Sequence, residues 1–510
     1  MLLNALRARA RRRLKALTPI ATVLLALAFA VPLTAGITAT AASAAVPNPI
    51  VTGPITGGCS PSCPSPPGPA SGIHIPDALG GNSNLPELAS AGYIEEEYFF
   101  EGTATAFERD PDAPAWDSTG QWTARPSTTI APAAYKTRML VRRPTDPAKF
   151  NGVVVVEWLN VTAGVDLAPD YGYFRQEVLR DGFIWVGVTA QAVGVNGGFP
   201  PGFGLKSYDP VRYGSLVHPG DSYSYDIFSQ AAQAILNPVG VNPLGSSDYV
   251  ITGMIADGES QSAGRMVTYF DAIQPLAQLF DGFLVHSRGA TGAALFAGAG
   301  GAVPSNSKMR TDQVPVLVFE TETDTVGHFN ARQPDGPTYR LWEPAGTAHA
   351  DLYDFTYFNL NKATQEPFYP DQTCTFPQNS ANQHYVVNAA LLRLSQWING
   401  GTPPPSAPPI TVVGGVIQRD AFGIALGGIR LPEMDVPTQT QQGVGNTGSP
   451  FCILFGRVLP LPVPLSSVYR DHGNYVSEFV RATNDLEKAG FLLDPDAEEA
   501  KTQAAESGVP

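Results

Sequence analysis

Charged residues are scarce in this sequence. Only 15% of the 510 residues are Asp, Glu, Lys or Arg, whereas 43% are hydrophobic. This balance excludes a chain that is disordered along its whole length, because it supplies enough apolar surface to bury a large core. Basic residues are the scarcer kind, 32 against 46 acidic residues, which gives a formal charge of −14. Such a surface repels phosphate backbones, so we expect no nucleic-acid partner.

Only one long apolar run occurs, from residue 16 to about residue 37. Small residues follow it, and basic residues precede it. This order is typical of a secretory signal peptide, so we expect residues 1–44 to be removed after Ala44 or Ala45. Removal takes away six basic and no acidic residues, which leaves 26 basic and 46 acidic residues and a formal charge of −20. The pattern predicts a secreted or cell-envelope protein without a membrane span after processing.

Cysteine is also rare, with four residues: Cys59, Cys63, Cys374 and Cys452. They show no closely spaced Cys and His pairs of the kind that bind zinc, so we expect no metal and no cofactor. In an exported chain such cysteines usually form disulfides. Cys59 and Cys63 are close enough to close a local loop, which leaves Cys374 to pair with Cys452. Three pairings are formally possible from the sequence alone.

The sequence after the signal divides into a linker and one large domain. Residues 45–72 are rich in Pro, Gly and Ser and predict a linker, and residues 73–510 predict the folded domain. Two stretches with alternating hydrophobicity, 93–107 and 135–143, predict antiparallel edge strands. Residues 361–468 are rich in Pro and Gly around a predicted helix at 385–398. This region is interpreted either as a cap over a pocket or as an extension that wraps the core.

Short apolar strands alternate with helical segments in the middle of the chain. The predicted strands are 153–156, 183–188, 249–255, 283–285, 316–319 and 340–342, and the predicted helices are 171–180, 222–236, a helix after residue 260 and, near the end, 475–489. Buried strands that alternate with helices predict a mostly parallel central sheet with helices on both faces, which is an α/β fold.

The strongest chemical motif is Gly-Glu-Ser-Gln-Ser at residues 258–262, between a predicted strand and a predicted helix. A nucleophilic serine in this context sits on a tight strand-to-helix turn, which needs small residues two positions before and after it. Gly258 and Ser262 meet that requirement around Ser260. Ser262 is a rival, because Ser260 and Gly264 flank it in the same way. Ser260 is favoured, since Gly258 best adopts the unusual backbone angles of the turn.

A serine nucleophile needs a base and a carboxylate that orients the base. The loop after the strand at 316–319 offers three carboxylates, Glu320, Glu322 and Asp324. Asp324 lies at the usual distance beyond the strand, whereas Glu320 is closer to the strand end. We therefore predict Asp324 as the acid and keep Glu322 as the alternative.

The predicted base is His349, which follows the next strand through the small-residue loop 344–348. The chain order of serine, acid and histidine is that of α/β-hydrolases. His286 ends another predicted strand and is a candidate for lining the pocket. The other histidines have no comparable placement.

The oxyanion hole is predicted to use backbone N–H groups. Gln261, the residue after the nucleophile, supplies the first donor. The second is expected in the loop after the strand at 153–156, from Trp158 or Leu159.

These segments resemble the bacterial family of α/β-hydrolase domain-containing proteins. The resemblance extends over most of the mature chain and rests on residues 155–161, 213–216, 218–226, 258–263, 282–289, 319–324 and 345–351. It implies the α/β-hydrolase fold and the order serine, acid, histidine. Both Glu322 and Asp324 belong to the family motif, so the resemblance leaves the acid open.

Together these features predict an exported serine hydrolase that cleaves esters of a small-molecule or lipid-like substrate through an acyl-enzyme. Two alternatives share the fold. One is an acyltransferase that uses the same three residues but passes the acyl group to an alcohol. The other is a binding module that has lost catalysis. The sequence leaves the substrate and the oligomeric state open.

Overall fold

The structure is a computed structural model that describes residues 46–55, 86–198, 204–359 and 373–509. All of these residues belong to one compact unit. The predicted signal peptide at 1–44, Cys59 and Cys63 lie outside the described residues.

A sheet of ten strands organises the described residues. In chain order they are β1 Ile50–Thr52, β2 Tyr93–Ala104, β3 Ala133–Pro144, β4 Val153–Trp158, β5 Ile184–Val188, β6 Val239–Gly240, β7 Gly253–Glu259, β8 Gly282–His286, β9 Val316–Phe319 and β10 Tyr339–Trp342. Their order across the sheet is β10-β9-β8-β7-β4-β5-β3-β2-β1-β6. The six strands from β10 to β5 are mutually parallel, and β3 and β2 continue the sheet in antiparallel pairing. This arrangement confirms the predicted mostly parallel sheet.

The parallel strands are buried on both faces. In β4 every residue is buried, and successive side chains enter different cores. Val153 and Val155 belong to one apolar cluster, whereas Val154 and Val156 belong to another. Because side chains alternate between the faces of a strand, one run of valines anchors both layers of helices.

Seven helices of eight or more residues occur among the described residues. They are α1 Pro169–Asp181, α2 Ser224–Leu236, α3 Gln261–Thr268, α4 Leu352–Asn359, α5 Gln383–Ile398, α6 His472–Ala489 and α7 Asp494–Glu506. α1 and α5 pack against the first core cluster, whereas α2 and α3 pack against the second. No helix in the described ranges is long and apolar enough to cross a membrane.

Several elements differ from the sequence prediction. β2 and β3, predicted as edge strands, lie inside the sheet, because the short strands β1 and β6 extend it beyond them. The strand predicted at 249–255 lies at Gly253–Glu259, so it runs up to the nucleophile motif. The apolar pattern does not predict the end of this strand, because Asp257 and Glu259 are polar residues that are buried in the fold. Ile50–Thr52, inside the predicted linker, form β1 of the main sheet. Three residues are too few to show a periodic pattern.

The C-terminal extension is described from residue 373 onward. It contains two short antiparallel pairs, Val412–Val413 with Val416–Ile417 and Thr440–Gln442 with Arg457–Leu459. A disulfide joins Cys374 to Cys452 across 78 residues of sequence. Cys452 is buried and lies in the short helix Pro450–Leu454.

Candidate active site

Ser260 occupies the turn between β7 and α3. Its backbone has φ 58° and ψ −116°, a conformation that is rare for any residue with a side chain. The Ser260 N–H donates to the carbonyl of His286 at 2.9 Å and so fixes the turn to the next strand. A Cβ atom at Gly258 would lie 3.1 Å from both Met266 and Ser262, which explains the glycine. Strain of this kind is typical of a nucleophile elbow.

Ser262, the rival nucleophile, is the second residue of α3. It is fully buried. Its hydroxyl has no hydrogen-bond partner among the described residues and lies away from solvent. The geometry therefore favours Ser260, which lines a cavity.

Asp324 and His349 come together at the carboxyl edge of the sheet. The Nδ1 atom of His349 lies 2.7 Å from Oδ1 of Asp324. Asp324 is held in the first turn of the helix Glu322–His328, which has Thr321 as its N-cap residue. The Thr321 hydroxyl accepts the backbone N–H of Asp324 and donates to its carboxylate. The His349 N–H donates to Thr323 Oγ1 at 3.1 Å. Both partners are therefore held by backbone and side-chain contacts.

The other two acids of the loop have different partners. Glu322 is buried and pairs with Arg419 at 2.6 Å, while its carboxylate also accepts the N–H groups of Gly346 and Gly443. Glu320 accepts the N–H of Arg288 at 3.2 Å. The structure thus brings Asp324, and not Glu322, to the histidine.

A fourth polar residue, Glu259, stands beside the histidine. Its Oε1 lies 3.1 Å from Nε2 of His349. Among the described residues Ser260 Oγ shows no hydrogen bond, and Nε2 faces Glu259. Glu259 is not among the site residues predicted from the sequence. The available signal was a carboxylate directly before the nucleophile, at the end of a buried strand.

The carboxylates control the charge of the imidazole. Burial lowers the pKa of His349, but Asp324 and Glu259 more than offset it and raise the pKa to about 10. Burial raises the pKa of Asp324, yet the nearby imidazole and the hydrogen bonds from His349 and Thr321 bring it below its usual value. The site therefore favours an imidazolium beside an ionised Asp324.

A cavity of about 80 Å³ opens beside these groups. Its polar lining consists of Asn160, Thr162, Glu259, Ser260, His349 and Asp354. Its apolar lining consists of Ala163, Leu167, Pro169, Ala350, Phe355, Phe451, Leu454 and Phe455. The last three come from the C-terminal extension, so this region forms part of the cavity wall.

The predicted oxyanion donors lie at the start of α3 and at the end of β4. Gln261 begins α3, where a helix leaves its first N–H groups without intrahelical partners. The Leu159 N–H, however, donates to Val188 O at 3.2 Å, and Trp158 directs its indole N–H to Gln191. Neither residue lines the cavity. Leu159 is therefore excluded as the second donor, because the sheet ladder extends past the end of β4 and occupies its N–H, and Trp158 stays a prediction that no cavity contact supports.

His286 does not line the cavity, contrary to its predicted place in the pocket. It is fully buried, with Nδ1 2.6 Å from Oδ1 of Asp170 and its ring against Phe319. Two more buried acids, Glu157 and Asp257, lie near Asp170, and burial raises the pKa of both well above the usual value. His286 thus belongs to a buried polar cluster beneath the elbow.

Metal ligands do not accompany these groups. Across the ranges that the structure describes, no group of three or more His, Cys, Asp or Glu side chains is placed to hold a metal ion.

The chain is distantly similar to several solved structures. No curated protein matches the sequence. A CE15 glucuronoyl esterase from Teredinibacter turnerae T7901 is 14% identical over 53% of this chain and 73% of its own, with a TM-score of 0.27. Esterase Est22 is 11% identical over 62% and 84%, with a TM-score of 0.30. The a/b serine hydrolase without lid XC6422 from Xanthomonas campestris is 11% identical over 52% and 93%, with a TM-score of 0.27.

The family comparison covers far more of the chain. The family described as "Alpha/beta hydrolase domain" matches residues 51–502, which include β7, the acid loop and the histidine loop. With this match and the ten-stranded sheet in view, the chain belongs to the alpha/beta hydrolase domain family.

Proposed function

We propose that this protein is a serine hydrolase that cleaves carboxylic esters through Ser260, His349 and Asp324. The observation that carries the proposal is the 2.7 Å contact between His349 Nδ1 and Asp324 Oδ1, beside a serine with a positive φ that lines the same cavity. A hydroxyl nucleophile, an oriented imidazole and a helix N-terminus together suit acyl transfer.

In the proposed reaction Ser260 Oγ attacks the ester carbonyl as its proton passes to His349 Nε2. The new Oγ–C bond produces a tetrahedral oxyanion, which the N–H of Gln261 stabilises. The imidazolium then gives its proton to the leaving alkoxide, and the C–O bond breaks. Water repeats the sequence on the acyl-enzyme, with His349 as base, and releases the acid and free Ser260.

The lining of the cavity supports an uncharged substrate with an apolar group. Leu167, Phe355, Leu454 and Phe455 supply apolar surface, while no Lys or Arg is among the described lining residues. The imidazolium of His349 already contacts both Glu259 and Asp324, so a substrate carboxylate would meet Glu259 without a further cation to balance it. We expect simple neutral esters to be hydrolysed in preference to esters with an anionic acyl group.

Labelling by a fluorophosphonate tests this function directly. The wild-type protein should gain one phosphonyl group, on Ser260, with loss of fluoride. Ser262→Ala should still be labelled, whereas a folded Ser260→Ala protein should not. Labelling of Ser260→Ala but not of Ser262→Ala would move the nucleophile by two residues.

Two further outcomes address the alternatives. A folded wild-type protein that never reacts would support a binding module that lacks catalysis. If labelling occurs, product analysis with an added alcohol separates water from alcohol as the acceptor, because a transferase would form the new ester in excess of free acid.

We also propose that the mature protein is exported. The support is the basic, apolar and small-residue order of residues 1–44. N-terminal sequencing of protein from the culture medium or envelope should begin at residue 45 or 46, and an uncleaved N-terminus there would contradict export by a removable signal.

A further inference from the structure

Glu259 is held rigidly against the base. It is the last residue of β7 and its side chain is only 5% exposed. Asn160 Nδ2 donates both to Oε2 of Glu259 at 3.2 Å and to its backbone carbonyl at 3.1 Å. These contacts leave Oε1 facing His349 Nε2 at 3.1 Å. The carboxylate is thus oriented by a neighbour of its own.

The imidazole of His349 therefore contacts a carboxylate at each nitrogen, Asp324 at Nδ1 and Glu259 at Nε2. A neutral imidazole has a single N–H, so it donates to only one carboxylate at a time. The imidazolium donates to both. A general base, however, needs a free lone pair on Nε2, so the arrangement in the structure is a resting state of the site.

We propose that Glu259 is a positioning residue that takes the Nε2 proton of His349 when substrate binds and so frees the base to activate Ser260. The inference rests on the proposed function. The proton moves from Nε2 to Oε1, which converts an imidazolium and a carboxylate into a neutral imidazole and a carboxylic acid. No proton enters or leaves the site, and Ser260 Oγ replaces Glu259 at Nε2.

Burial of Glu259 narrows the difference in pKa between the two partners, and the remaining difference keeps the proton on His349 until substrate binds. Burial raises the pKa of Glu259, the imidazoles of His349 and His286 oppose the rise, and the pKa is about 7. The pKa of His349 is raised to about 10. The groups that face the pair from other elements are Asp324 from the helix Glu322–His328, Asp354 from α4, His286 from β8, and Asp170 and Tyr173 from α1. Arg175 partly offsets Asp354.

The proposal predicts that two measurements on the wild-type enzyme disagree. NMR of protein with 15N-labelled histidine should show His349 protonated on both nitrogens from pH 7 to about pH 9, and His349→Asn identifies its signals among the seven histidines. In the same range kcat/KM for a neutral ester should be nearly independent of pH, because the excess proton passes to Glu259 and not to solvent. The rate should fall only below about pH 7, where Glu259 already carries a proton.

Glu259→Gln should bring the pH dependence of kcat/KM into line with the NMR titration of His349. Without the carboxylate the pKa of His349 should fall by about 1–3, the usual effect of one charge at contact distance. The variant has no acceptor for the Nε2 proton, so kcat/KM should now rise with pH along the NMR titration of His349. The enzyme should be slower below that pKa than above it.

Asp354→Asn is the matched control. It removes one carboxylate from the same cavity wall. Asp354 helps to raise the pKa of His349 but makes no hydrogen bond to it. The separation between the NMR and kinetic pH dependences should persist in this variant.

Three outcomes would overturn the inference. The first is a wild-type kcat/KM that follows the NMR titration of His349. The second is a neutral His349 at pH 7 in the free enzyme. The third is the same change in the pH dependence of kcat/KM in Glu259→Gln and in Asp354→Asn. The NMR titration needs no ester hydrolysis and no variant of Glu259, so it remains informative if Glu259→Gln does not fold. Failure of fluorophosphonate labelling would instead count against the proposed function.

Discussion

Glu322 and Arg419 form an ion pair with an Oε1–Nη2 distance of 2.6 Å, and the carboxylate is fully buried. The same carboxylate accepts the N–H groups of Gly346 and Gly443 at 2.9 and 3.0 Å. Glu322 thus ties the loop before His349 to the C-terminal extension. Glu322 stabilises the loop that carries His349 without contacting the imidazole, whereas its neighbour Asp324 contacts the imidazole directly.

Substitutions in this loop should separate catalysis from stability. We expect Asp324→Asn to lower kcat by a factor on the order of 10⁴, the size seen when the orienting carboxylate of such a triad is lost. Glu322→Gln should cost about 1–3 kcal/mol of unfolding free energy, because the neutral amide offers one oxygen where the buried carboxylate offered two to Arg419, Gly346 and Gly443. Ester hydrolysis well below the melting temperature and urea denaturation of both variants provide the comparison. A larger loss of kcat in folded Glu322→Gln would assign the acid role to Glu322.

The three residues of the proposed triad should act as one unit. Ser260→Ala, His349→Ala and the double variant should lose kcat by nearly the same factor, because removing one member already disables the others. Ser262→Ala should keep measurable turnover, since its hydroxyl is buried in α3. Steady-state kinetics of the four proteins is the measurement. Losses that multiply in the double variant would show that Ser260 and His349 act independently.

The disulfide between Cys374 and Cys452 should stabilise both the fold and the cavity wall. It closes a loop with a sequence separation of 78 residues, so its removal should cost about 2–4 kcal/mol. Phe451 precedes Cys452 and Leu454 follows it in the same short helix, and both line the cavity. Loss of the disulfide should therefore raise KM more than it lowers kcat. Non-reducing peptide mapping should recover the bridge, and denaturation and kinetics of the double Cys→Ser variant test its effects. Free thiols at both positions would contradict the pairing.

Asp257 should make stability depend on pH. Burial, and then the charges of Asp170 and Glu157, raise its pKa well above the usual value. The unfolded chain releases this proton near pH 4, whereas the folded chain retains it. The contribution of Asp257 to stability is therefore fully present below pH 4 and is lost as pH rises toward the folded pKa.

Asp257→Asn cannot ionise, so its melting temperature should vary less with pH above about pH 4 than that of the wild-type protein. Thermal melts across pH 4–8 on both proteins test this difference. Parallel curves would mean that Asp257 is ionised in the folded protein or that a neighbouring acid carries the proton.

Short-range pattern was sufficient for much of the fold. The apolar strands around residues 153–156 and 316–319 are recognisable because a strand buried on both faces is a nearly continuous apolar run. The family model confirms the resemblance stated from the motifs. The order of Ser260, Asp324 and His349 follows from the positions of three strand ends, and the structure places the two polar partners within hydrogen-bond distance.

Pattern failed where a residue's partner comes from a distant part of the chain. Leu159 gives its N–H to Val188, which only the pairing of β4 with β5 brings close. His286 is turned into the core by Asp170, 116 residues away, and not toward the cavity. No spacing rule connects these residues, because their contacts depend on the order of strands in the sheet.

The sequence by itself determined the strand-to-helix turn at Ser260, since Gly258 and the small Ser262 satisfy steric demands that are local. Only the tertiary structure decided between Glu322 and Asp324. Both acids lie in one short helix, and their different partners distinguish their roles. Glu322 contacts Arg419 and Gly443, whereas Asp324 contacts His349. A buried carboxylate needs a partner, and which partner it finds is fixed by packing between segments about 100 residues apart.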